Sequence, residues 1–86
     1  MIRLRLYTRA GCGLCDEMRR QVDAFLEEAP RAWEVVDVDA DPALAARYGE
    51  EIPVLFVNDR LFAKIRLPRL AAALRLKRAA AAASNS

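Results

Sequence analysis

The chain has 86 residues, 55% hydrophobic and 30% charged. That fits one small globular domain and excludes a disordered chain or a sizeable second domain. The net charge of +2 hides an asymmetry: residues 1–59 carry 7 basic and 12 acidic groups, and residues 60–86 carry 7 basic and no acidic ones. No apolar run approaches the ~20 residues that span a bilayer.

The first strand is expected over 2–7, where Ile2, Leu4 and Leu6 alternate with Arg3, Arg5 and Tyr7. A secretory leader would be continuously apolar there, so we expect a cytoplasmic protein with no membrane partner, in a compartment that keeps thiols reduced. After a loop over 8–11 the period changes. Leu14, Cys15, Met18, Val22, Phe25 and Leu26 recur every three or four residues, the pattern of an amphipathic helix, which Pro30 ends. A β-rich run over 33–38 reads as the second strand. Asp41 and Pro42 suit a helix start. Leu44, Ala45 and Tyr48 supply that helix's apolar side, and Gly49 stops it. The nearly continuous apolar run 52–57 reads as a central strand. Asn58-Asp59 is a turn pair, from which 60–65 returns antiparallel. Pro68 opens a last helix bearing Leu70, Leu74 and Leu76.

The order is β-α-β-α-β-β-α. It predicts an α/β fold: a four-stranded mixed sheet with three helices, its first two strands parallel through a right-handed crossover. We expect one domain over 1–78. The Ala-rich 79–86 either prolongs the last helix or is disordered.

The strongest chemical signal is Cys12-Gly13-Leu14-Cys15, at the junction of a strand and a helix. At that spacing the two sulfurs can meet in a small, readily reopened ring. The first helical turn offers unpaired N–H groups and the positive end of the helix dipole, both favouring a thiolate. Thiols so placed have pKa values lowered to roughly 3.5–7.5 from about 8.5. Cys12, on the loop side, is expected to be the exposed nucleophile. Cys15, on the apolar stripe, is expected to be partly buried and to resolve the mixed disulfide. Arg9 is close enough in sequence to add positive potential. Two cysteines and no histidine are too few for a zinc site within one chain, and they exclude a cysteine–histidine pair. Two inert core cysteines are the alternative. Pro53 opens the third strand, where a cis Ile52–Pro53 bond would turn the chain sharply and an ordinary trans bond would also fit.

The segment Tyr7-Thr8-Arg9-Ala10-Gly11-Cys12-Gly13-Leu14-Cys15 resembles the active-site segment of glutaredoxins, within the thioredoxin superfamily. Ile52-Pro53 resembles that family's cis-proline turn, and the likeness extends in element order from Ile2 to about Leu76. It implies a thioredoxin-like fold and dithiol–disulfide exchange. Cys12 is then the nucleophile and Cys15 the resolving thiol. Ile52 is a backbone partner of the substrate beside Pro53, and Arg9 stands where a basic residue meets a glutathione carboxylate. Gly13-Leu14 replaces the usual Pro-Tyr pair, at the substrate groove. The stretch Phe62-Ala63-Lys64-Ile65-Arg66-Leu67 lacks the Gly-Gly pair and the following acid that receive the glutathione amino group. The sequence resembles the small glutaredoxin-like proteins of bacteria more than the glutathione-dependent enzymes.

The expected function is therefore thiol–disulfide exchange by a monomer with no bound cofactor and no metal. It acts on protein or small-molecule disulfides. Glutathione or a thioredoxin-reductase-type donor is the reductant, and glutathione use is in doubt. The competing reading is a redox-inactive or redox-sensing adaptor that docks a partner through the basic helix over 66–78. A solvated basic helix accounts for the same charges, and no nucleic-acid partner is expected.

Overall fold

A computed structural model describes residues 1–84. The elements are β1 (Ile2–Thr8), α1 (Gly13–Leu26), β2 (Arg31–Asp37), α2 (Pro42–Tyr48), β3 (Val54–Val57), β4 (Arg60–Lys64) and α3 (Arg69–Ser84). One 3₁₀ turn, Val38–Ala40, joins β2 to α2. The sheet order is β2-β1-β3-β4. β1 pairs with β2 in parallel and with β3 antiparallel, and β3 pairs with β4 antiparallel. The four-stranded mixed sheet with three α-helices is the α/β fold that the sequence predicts.

The alternation in β1 sends Ile2, Leu4 and Leu6 into the core with Leu55 and Val57 of β3. Met18, Val22 and Leu26 of α1 close over them, at the four-residue spacing that keeps one helix face turned to the sheet. Leu14 is set off that face and is 43% exposed. α3 packs against α1 and β1 on this side. Its buried residues are Ala72, Leu76 and Ala80, also four apart, whereas Leu70 is 91% exposed and Leu74 faces solvent. Of the three leucines expected on this helix, Leu76 alone reaches the core. Alanines let the axis of α3 lie close to the core, and the larger Leu70 and Leu74 would hold it away. The Ala-rich stretch prolongs the helix to Ser84, one of its two expected states, and residues 85–86 lie outside the described residues.

The end of α1 is held by β2. Arg31 donates to the backbone carbonyls of Asp23 (3.1 Å), Ala29 (3.1 and 3.2 Å) and Glu27. It also pairs with the Asp23 carboxylate at 2.8 Å. These bonds tie β2 to the C-cap residue Glu27 and to the turn that follows α1, and the Asp23 carbonyl also accepts the Glu27 N–H at 3.1 Å. Asp23 Oδ1 accepts from Trp33 Nε1 at 2.9 Å as well. Partial burial pushes the Asp23 carboxyl up, but the hydrogen bonds from Arg31 and Trp33, with the charges of Arg31 and Arg19, hold it below its ordinary value.

On the other sheet face α2 covers one end. Asp41 caps it, accepting from the Ala43 N–H at 2.9 Å, with Pro42 in its first turn. Tyr48 stacks on Tyr7 at 4.4 Å between ring centroids, and Phe56 meets both edge-on at 5.7 and 6.4 Å. Gly49 ends α2 in right-handed backbone, not the left-handed turn that its glycine implied. A Cβ there would lie 2.4 Å from the Ala45 carbonyl oxygen, so close approach is what requires glycine. Asn58 and Asp59 both take left-handed φ, 49° and 68°, as a two-residue hairpin turn needs.

All four strands differ from expectation at an end, β1 by running one residue further to Thr8. β2 starts at Arg31 and releases Val38 into the 3₁₀ turn. β3 begins only at Val54, with Ile52-Pro53 as its entry. β4 stops at Lys64 because Ile65 turns to φ 69°.

Candidate active site

β1 delivers the chain into the loop 9–12, where Gly11 takes φ 76°, a left-handed position that suits glycine. The Cys12 N–H donates to the Arg9 carbonyl at 3.3 Å. Cys12 then serves as N-cap of α1 with extended backbone, φ −84° and ψ 100°. Its Sγ accepts the Cys15 N–H at 3.2 Å. A sulfur so placed faces the free amides and the positive end of a 14-residue helix.

Cys12 and Cys15 form a disulfide with their Cα atoms 5.3 Å apart, inside the ordinary range for such bonds. Cys15 is 1% exposed. Cys12 is half-buried, less open than its position on the loop side implied. The outer and inner ranking of the two sulfurs follows from the helix. Cys12 sits at its mouth, and Cys15 points down the face shared with Met18 and Val22.

Pairing between Tyr7 and Val54 sets the other wall. It brings the loop that leaves β1 and the turn that enters β3 to the same end of the sheet. The Ile52–Pro53 peptide in that turn is cis. Pro53 is fully buried and Ile52 half-buried. The Pro53 carbonyl accepts the Ile65 N–H at 2.7 Å, which ties the start of β3 to the link between β4 and α3.

Arg9 is placed otherwise than its sequence position implied. Its guanidinium forms a two-pronged pair with Asp39, at 3.0 and 3.1 Å, and donates to the Gly49 carbonyl at 3.3 Å. The side chain fastens the cysteine loop to the 3₁₀ turn and the end of α2. Its charge is met by a carboxylate. Sequence reasoning missed Asp39, one of three aspartates over 37–41 with nothing to mark it as the partner. Gly13 is exposed, with open space where a Cβ would be.

A groove of about 310 Å³ lies between the first turns of α1 and the link into α3. Leu14, Met18, Ile65 and Leu67 form its apolar surface, with Glu17 and Arg66 at its rim. Ile65 also escaped sequence reasoning, since a β-branched residue gives no hint of left-handed backbone. Thus Cys12, Gly13, Leu14 and Cys15 share one helix mouth, with Ile52 and Pro53 at the same sheet end. Of Arg9, the backbone joins them and the guanidinium turns to Asp39. No helix among the described residues is long and apolar enough to cross a membrane.

The chain is similar to known proteins in sequence and in fold. The Uncharacterized protein Rv0508 of Mycobacterium tuberculosis is 31% identical over 62 residues, covering 66% of this chain and 64% of that protein. The Uncharacterized protein Mb0520 of Mycobacterium bovis matches equally. The match thus spans under two thirds of these relatives' length. Among solved structures, protein Ne2328 from Nitrosomonas europaea superposes with a TM-score of 0.68 at 29% identity, covering 78% of this chain and 81% of that one. Protein XcR50 from X. campestris gives 0.65 at 34% identity, covering 84% and 95%. An N21Q mutant thioredoxin from Halobacterium salinarum gives 0.56 at 24% identity, covering 92% and 74%, which shows the thioredoxin fold. The family described as Glutaredoxin-like domain (DUF836) matches residues 3–75, so this chain, with its paired Cys12 and Cys15, belongs to that glutaredoxin-like family.

Proposed function

We propose that the chain is a dithiol–disulfide oxidoreductase. The reduced Cys12 thiolate attacks one sulfur of a protein or small-molecule disulfide. A Cys12–substrate disulfide forms and the first substrate thiolate leaves. Cys15, having lost its proton, then attacks Cys12 Sγ. The Cys12–Cys15 bond forms and the second substrate thiolate leaves. Two electrons pass from the dithiol to the substrate, and an external thiol donor returns them. The observation that carries this reading is the Cys12–Cys15 disulfide at the mouth of α1, with Cys12 Sγ accepting the Cys15 N–H.

Leu14 and Ile52 flank the attack path, and the backbone of Ile52 beside Pro53 receives the substrate chain. Glutathione is a poor donor in this reading. Arg9, which would meet its carboxylate, is engaged by Asp39. A thioredoxin-reductase-type donor fits better, and the site acts in a reducing cytoplasm.

The test follows reduction of a small aromatic disulfide with two donors, glutathione with its reductase and NADPH with a thioredoxin reductase. Expected is turnover with the second donor, little with the first, and none in Cys12→Ser. Failure of the pre-reduced wild type to reduce the substrate would overturn the proposal. Faster turnover with glutathione would overturn the donor assignment.

A further inference from the structure

The basic C-terminal region has a spatial focus that the cysteine chemistry does not use. Strand order leaves β4 at the sheet edge, unpaired on its outer side among the described residues. Between β4 and α3 runs a groove of about 290 Å³. Arg60 enters it from β4, and Arg75 and Arg78 enter it from α3, where a three-residue offset puts both on one helix face. Among the described residues none of the three guanidiniums pairs with a carboxylate, whereas Arg3, Arg5, Arg9 and Arg31 all do. Arg75 lies 4.1 Å over the Phe62 ring. Leu61 is 50% exposed at the same place.

We propose that this groove docks an extended acidic polypeptide segment, which adds to the β4 edge and sets its carboxylates against Arg60, Arg75 and Arg78. Three features select that partner. Unpaired cations ask for anions, and guanidinium forks match carboxylates in shape. An open strand edge offers N–H and C=O groups that a second polypeptide backbone can pair. Leu61 and Phe62 offer apolar surface to alternate side chains of such a strand. A nucleic acid satisfies the first feature, and its bases can stack on apolar surface, but it has no peptide backbone to pair with the strand edge. Charged residues on an edge strand can also serve only to keep copies apart. That role needs Arg60 and Lys64, but not two arginines converging from α3.

The full isotope-labelled chain is titrated with a short synthetic peptide of alternating glutamate and valine, while its amide resonances are followed. The same peptide with lysine for glutamate, and a single-stranded oligothymidylate, are the comparisons. Expected are saturable shifts of the β4 amides and of α3 around residues 75–79. Affinity should fall as salt rises, and on the order of tenfold in the Arg75→Gln, Arg78→Gln variant. Both arginines are exposed, so that variant retains its helical spectrum. Leu61→Asp, changed from the strand side, should weaken binding as well. The proposal is overturned by an absence of saturable shifts or by shifts outside β4 and α3. It is equally overturned by unchanged affinity in the variants, or by tighter binding of the lysine peptide or the oligonucleotide.

Discussion

Ile65 gives a test whose sign, not only its size, is fixed by the backbone. Its φ of 69° is left-handed, a region where an L-residue's Cβ crowds the following carbonyl oxygen at a cost of roughly 1–2 kcal/mol. The Ile65 N–H bond to the Pro53 carbonyl, 2.7 Å, holds it there. Replacement by alanine and by glycine removes the same side chain, 44% exposed, and differs only in the Cβ. Glycine is released from the left-handed cost but loses about 0.5–1 kcal/mol through its greater freedom when unfolded. Ile65→Gly should therefore be more stable than Ile65→Ala by about 0.5–1 kcal/mol. For a small domain that is a difference of roughly 2–8 °C in Tm. At ordinary negative φ the order would be reversed. Urea denaturation of the two variants reads the difference as a shift in midpoint at constant slope. An alanine variant equal to or more stable than the glycine variant would refute the left-handed assignment and the β4–α3 geometry built on it.

Leu76→Ala should destabilise the chain by about 2–4 kcal/mol, the usual range for a buried leucine. Leu70→Ala should change stability by less than about 0.5 kcal/mol; paired urea curves measure both, and similar losses would restore the leucine stripe. Asp23 predicts a pH effect. Its folded-state carboxyl is held below the ordinary 3.8, so its contribution is fully present above that value and is lost as pH falls through the depressed one. In an acid series below about pH 4, the wild type should lose stability more steeply than Asp23→Asn. The side chain is 44% exposed, so the difference should stay within about 1 kcal/mol, and parallel acid curves would contradict the Arg31–Asp23–Trp33 arrangement.

The sheet was legible because its signals are local. Period two in β1, the Asn58-Asp59 pair and the apolar run into Val57 each fix an element without reference to another. α1 was legible for the same reason, down to Cys12 at its mouth. The face of α3 was not. Alanine carries little hydrophobic signal, so the leucines set the apparent stripe, yet close packing selected Ala72, Leu76 and Ala80. Asp39 as partner of Arg9, and Arg31 as cap of α1, join residues 30 and 8 apart, and no short pattern encodes such pairs. Gly49 was found as a stop for the wrong reason, since its need is space beside Ala45 and not a left-handed turn. At the site, the four residues of the cysteine motif were readable and the side of the groove built by Ile65 was not. A β-branched residue argues locally against the backbone that the Pro53 carbonyl holds it in.

The central claim is that Cys12 attacks and Cys15 resolves. Mass spectrometry of trapped adducts tests it most directly. Reduced Cys15→Ser and Cys12→Ser variants are each mixed with a small aromatic disulfide. Cys15→Ser should accumulate a covalent adduct on Cys12, because the thiol that would release it is gone. Cys12→Ser should form little adduct, since Cys15 is almost wholly buried, and the wild type should end with its own Cys12–Cys15 bond and none. Equal or faster adduct formation on Cys15 in the Cys12→Ser variant would contradict the assignment of the two sulfurs.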